Sequence, residues 1–127
     1  MSRTTLDEVS ERTRLRAQLQ TTIRIELGFL EQVDRPFKPV VVLTGKGDVR
    51  KLLQMLPWKP MPAIGAKIRW HLRFVLPDDR VVDAFVYSGG WHVTKFHGNS
   101  YGPYDDTDDK LYRYVETVFD SHRKEGQ

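Results

Sequence analysis

Three of the four histidines, His71, His92 and His97, lie in a stretch that reads as a strand meander, and Asp105 and Asp106 follow shortly after. Imidazoles gathered beside a carboxylate are ligands for zinc, and the same groups move protons near neutral pH. If the later strands pair in register, His92, His97 and Asp105 or Asp106 would form a small metal-dependent or acid–base site. The spacing argues against it. No two histidines stand four apart, as on a metalloprotease helix, and nothing requires His71 and His92 to share a face. With no nucleophile–base pair and no cofactor fingerprint in the chain, catalysis is the minority expectation and no cofactor is expected.

A second chemistry-bearing stretch is Thr44-Gly45-Lys46-Gly47-Asp48, between a strand pattern and a helix pattern. Free amides at a helix N-terminus bind phosphates. The glycine spacing and the Lys-Ser/Thr pair of a phosphate-binding loop are absent, however. Asp48 is expected to cap the helix itself and to repel an anion. A tight turn is the expectation here.

The broadest signal is charge at alternate positions. Arg14, Arg16 and Arg24 share one parity of a long alternating run, against a single Glu26, and Lys67, Arg69, His71 and Arg73 share one parity of another. In a sheet covered by helices on one side, those positions would form a common basic face. Such a face attracts an acidic protein partner or a polyanion, with Phe85, Tyr87 or Trp91 available to stack on bases. No nucleic-acid motif accompanies it: there is no RNP-type aromatic run and no zinc finger. Residues 97–109 read as a loop or a poor edge strand, and the part from His97 to Asp106 is a candidate binding loop, with His97, Tyr101, Tyr104, Asp105 and Asp106 among glycine, asparagine and serine. Its aspartates also suit the start of the helix that follows, with Asp106 or Thr107 as the cap.

These groups need elements to hold them. Thr5-Leu6-Asp7-Glu8 has the spacing of a capping box, so residues 1–13 are expected to form an N-terminal helix or arm. The alternation Leu15, Ala17, Leu19, Thr21, Ile23, Ile25, Leu27, Phe29 favours a strand over at least 21–30 and as far back as 14, with a bend or a longer helix as the alternative. Val40 to Leu43 reads as a buried strand. Asp48 would then cap a helix at about 49–56, whose Val49, Leu52, Leu53 and Leu56 form one apolar stripe. Trp58 and its flanking prolines form a connection expected to fold over the core. Residues 68–76 and 80–87 read as a hairpin turning at Asp78-Asp79, and Gly89-Gly90 turns the chain into a third strand at 91–96. The last element is a helix from about Thr107, with Leu111, Val115, Val118 and Phe119 on one face and residues 122–127 as a frayed tail.

The order (α)-β-β-α-β-β-β-α predicts an α+β fold: a single two-layer domain over residues 1–127. An antiparallel sheet of about five strands would carry two or three helices mainly on one face. The chain has 127 residues, enough for one core. It contains no cysteine, which removes disulfides and thiolate chemistry. No apolar run approaches the roughly 20 residues of a membrane span, and the polar start at Met1 suggests a cytoplasmic protein. With 20 Lys+Arg against 17 Asp+Glu the formal charge is only +3, so the distribution of charge matters more than its sum. The expected function is that of a small binding or regulatory domain, such as an inhibitor, immunity or accessory protein. It would present its basic face to a protein partner, with nucleic acid as the alternative and self-association into a homodimer left open.

Overall fold

A computed structural model describes residues 5–29, 38–62, 67–96 and 99–125. In chain order the elements are α1 (Thr5–Leu19), β1 (Arg24–Phe29), β2 (Val41–Leu43), α2 (Lys46–Met55), β3 (Trp70–Val75), β4 (Val81–Tyr87), β5 (Gly90–Phe96) and β6 (Asn99–Asp105), then a short 3-10 turn (Thr107–Asp109) leading into α3 (Lys110–Glu125). Six strands form one sheet in the order β2-β1-β3-β4-β5-β6, with every neighbouring pair antiparallel. The predicted two-layer α+β architecture is therefore what the chain adopts, with one strand more than expected.

One face of the sheet carries the core. Ile25, Leu27, Trp70, Leu72, Phe74, Val82, Ala84, Val86, Trp91 and Val93 alternate inward along their strands. They meet Leu15 and Leu19 of α1, Leu52 and Leu53 of α2, and Leu111, Val115 and Phe119 of α3. The apolar stripe predicted for α2 is buried, from Val49 to Leu56. The helix starts earlier than expected, however: Gly45 is its N-cap, with no side-chain capping bond, and Asp48 lies inside the first turn.

Of the alternating run, only Arg24–Phe29 makes a strand; before it the alternative of a longer helix is what forms. Leu15, Leu19 and Thr22 are buried whereas Ala17 between them is exposed, which is helical spacing. Leu15 and Leu19, one turn apart, are enough to anchor α1 on the sheet. Its last turn is closed by Thr22, whose Oγ1 donates to the Leu19 carbonyl at 2.6 Å.

The segment expected to be a loop or a poor edge strand is strand β6, at one edge of the sheet. Its period is broken: the register with β5 shifts between Trp91 and Val93 and again between Val93 and Phe96. As a result Tyr101 and Tyr104, three residues apart, both pack toward the core. Gly102 has φ of 101° and closely approaches the His92 backbone, a conformation open to glycine.

Of the two hairpin turns, the second differs from expectation by a residue. Between β3 and β4 the loop is Pro77-Asp78-Asp79. The Leu76 N–H donates to the Arg80 carbonyl at 2.8 Å, and Asp79 takes the left-handed conformation with φ of 64°. Between β4 and β5 the turn is Ser88-Gly89, and Gly90 already pairs with Tyr87 inside the ladder.

Trp58 lies over the core as expected, edge-on to Trp91 and Tyr104 with ring centroids 5.2 and 5.3 Å away. Its segment also covers the β6 edge of the sheet. The Asp105 N–H donates to the Lys59 carbonyl at 2.7 Å, and the Met61 N–H donates to the Pro103 carbonyl at 3.1 Å.

Candidate binding face

The second face of the sheet, on which no described helix packs, is ordered in rows because side chains of antiparallel neighbours line up across strands. One row runs Val42, Glu26, Arg73, Asp83 and Thr94 across β2, β1, β3, β4 and β5. The next runs Gly28, His71, Phe85 and His92. Arg24, Val75 and Val81 form a row on one side of these, and Tyr87 with Gly90 lies on the other.

The charges on this face are tied to each other. Arg24 Nε lies 3.3 Å from Glu26 Oε2. Asp83 Oδ1 accepts from Arg73 Nε at 3.0 Å and from His71 Nε2 at 2.8 Å, which places the imidazole proton on Nε2 because a carboxylate can only accept. Burial pushes the Asp83 carboxyl up, but the hydrogen bonds from His71 and Arg73, with their charges, outweigh it. They hold it below the ordinary carboxylate range.

Around Phe85 the face is aromatic. Its ring lies 4.6 Å from that of His71 and 5.5 Å from that of His92. Tyr87 stands 5.5 Å from His92, and its hydroxyl is 3.4 Å from His92 Nδ1. Burial lowers the pKa of His92 and raises that of Tyr87, so both are held in their neutral forms. The result is a half-buried, charge-balanced strip with an aromatic centre.

The seven residues expected to make a basic face are divided among three places. Arg24, His71 and Arg73 are on the second face, each beside a carboxylate. Arg14 and Arg16 are on α1, and the Arg16 guanidinium sits over the Trp58 ring at 5.7 Å. Lys67 and Arg69 precede β3. The Arg69 side chain turns to α3, donating to the Tyr112 hydroxyl and to Glu116 Oε2 at 3.0 Å, and lies 4.5 Å over Trp70. The common face of six or seven cations therefore does not form, because helical α1 removes two of them and α3 captures a third.

The predicted loop residues are mostly structural. Tyr104 is buried between Trp58 and Trp91, and burial pushes its hydroxyl up to about 12. Asp106, 3% exposed, caps α3: Oδ1 accepts from the Leu111 N–H at 2.9 Å and Oδ2 from the Tyr112 N–H at 3.0 Å. Asp105 is half-buried at the end of β6, its backbone bonded to Lys59. His97 lies outside the described residues. Among those residues no three His, Asp or Glu side chains gather as metal ligands would. Trp91, considered for stacking, is wholly buried, whereas Phe85 and Tyr87 are on the second face.

Sequence reasoning missed Asp83, the residue that changes the character of this face. The signal was available in the turn. The expected strands, 68–76 and 80–87, leave Pro77-Asp78-Asp79 as a three-residue loop, and that loop sets Arg73 opposite Asp83. The sequence matches no family model, no curated protein and no solved structure.

Proposed function

We propose that this chain is a non-catalytic binding domain that docks a protein partner on the second face of its sheet, centred on Phe85 with His71 and His92 beside it. The observation that carries this reading is the pairing of Arg73 and His71 with Asp83 and of Arg24 with Glu26. A phosphate-binding surface needs cations whose charge is available to the ligand, and these are already balanced by carboxylates on the same or the neighbouring strand. Aromatic residues and arginines held in fixed geometry, with little net charge, are instead the composition of protein–protein interface cores. Nucleic-acid binding through a basic face is the weaker reading for the same reason.

The test is affinity capture of the full chain from extracts of its native cells, run beside Phe85→Ser and, as a surface control on α1, Arg14→Glu. One polypeptide identified with the wild type and with Arg14→Glu, but lost with Phe85→Ser at unchanged melting temperature, is the expected result. Equal recovery with Phe85→Ser would remove the second face as the docking site. Salt-dependent retention of the wild type on a polyanion column, weakened by Arg73→Glu, would favour nucleic acid instead.

A further inference from the structure

The two edges of the sheet are treated differently. At the β6 edge, Lys59 to Met61 run alongside the strand, with Pro60 bridged to Tyr104 and backbone bonds on either side of it. At the other edge β2 has β1 as its sole strand neighbour among the described residues. Edge strands are commonly guarded by a charge on the strand itself, and this one has none: from Pro39 to Thr44 the sequence is Pro-Val-Val-Val-Leu-Thr. Val40 is 43% exposed and Val42 is 46% exposed, two of the large apolar side chains most open to solvent in the described chain.

We infer that β2 pairs with β2 of a second copy of this chain, antiparallel about a two-fold axis, joining two six-stranded sheets into one. Self-pairing is favoured because the edge carries no charge to repel its own copy, and a two-fold contact demands such self-complementarity. The parity of the pleat then limits the register. Residues that face each other across an antiparallel pair must lie on the same sheet face, so the two facing numbers must have an even sum. Placing Val42 on the axis sets Val42 against Val42 but leaves each exposed Val40 opposite Thr44. Placing Val41 on the axis sets Val40 of each copy against Val42 of the other. This register pairs all four exposed valines, so it is the one assigned. The paired valines lie at the β2 end of the second face, away from its Phe85 centre, and the dimer does not rest on the protein partner proposed there.

The absence of cysteine makes the register directly testable, since any thiol introduced is the sole one. Sedimentation equilibrium of the wild-type chain is expected to give twice 14.8 kDa at micromolar concentration. Val42→Lys, an exposed substitution, is expected to weaken association at least tenfold while leaving the far-UV circular dichroism unchanged. On mild oxidation the V40C/V42C variant should form a disulfide-linked dimer quickly, and V42C alone at least tenfold more slowly. A wild-type chain that sediments at 14.8 kDa up to high concentration would overturn the proposal. So would a dimer that survives Val42→Lys intact. Cross-linking of V42C alone as fast as the double variant would overturn the assigned register.

Discussion

Arg73 on β3 and Asp83 on β4 face each other directly across the ladder, with Arg73 Nε donating to Asp83 Oδ1 at 3.0 Å. The same oxygen holds His71 at 2.8 Å, so one carboxylate organises two side chains of the neighbouring strand. Asp83 titrates below its ordinary value of 3.8. A carboxylate whose folded pKa is depressed contributes its full stability above the unfolded value and loses it as pH falls through the folded one. Asp83→Asn is therefore expected to cost about 1–3 kcal/mol at neutral pH, and the gap from wild type should close at pH values below about 3.8. Urea unfolding of both chains across that range checks it; a gap unchanged in strong acid would contradict the pairing.

His92 is shifted the other way for a base, lowered by burial beside Phe85 and Tyr87. Its neutral form is preferred in the folded chain, so no penalty exists above the unfolded value of 6.5 and stability falls as pH drops through the folded one. His92→Gln should flatten this part of the pH–stability curve. The imidazole signal of His92 should titrate with a midpoint below 6.5 in an NMR series, and a midpoint above it would refute the assignment.

Two glycines should respond in opposite directions to alanine. A Cβ at Gly90 would run into Met61 Cε and lie 2.8 Å from the Tyr104 carbonyl oxygen, so Gly90→Ala forces β5 and β6 apart. A cost of about 1–3 kcal/mol is expected from this overpacking. Gly47 in the first turn of α2 has nothing within 4 Å of such a Cβ. Gly47→Ala should stabilise by about 0.5–1 kcal/mol through helix propensity and a stiffer unfolded chain. Thermal melts of the two variants should shift to opposite sides of the wild type.

Asp106 binds the first free amides of α3 with both carboxylate oxygens while almost wholly buried. Asp106→Ala is expected to cost about 2 kcal/mol, the upper end for a lost helix cap, because the freed amides have little access to water. Hydrogen exchange at Leu111 and Tyr112 should accelerate more than at Val115, one turn further in. Uniform acceleration along α3 would show that the bond is not a local cap.

What the sequence revealed about the fold follows from pattern length. Val49, Leu52, Leu53 and Leu56 repeat with helical period and were buried as expected, and Leu72, Phe74, Val82 and Val86 alternate and form the core face. The alternating run from residue 14 carried both periods at once. Leu15 and Leu19 satisfy a helix and a strand equally, and burial against the sheet selected the helix. Strand β6 read only as a loop or a poor edge strand, because its bulges put Tyr101 and Tyr104 on one side at a spacing that no regular strand has.

The candidate site was legible only as residue types. His71, Arg73, Phe85 and His92 were all noticed, yet their meaning rested on which neighbour each one met. Composition, the two periodicities and the turn residues were enough to determine an antiparallel sheet with helices over one face, since burying an apolar stripe is a local requirement that each segment meets alone. Whether the other face was basic depended on the register of the β3–β4 ladder, which set Asp83 beside Arg73 and His71, and on α3 drawing Arg69 away. Those are pairings between residues distant in sequence, and only the packed chain fixes their register, because a shift of one residue turns every side chain of a strand to the opposite face.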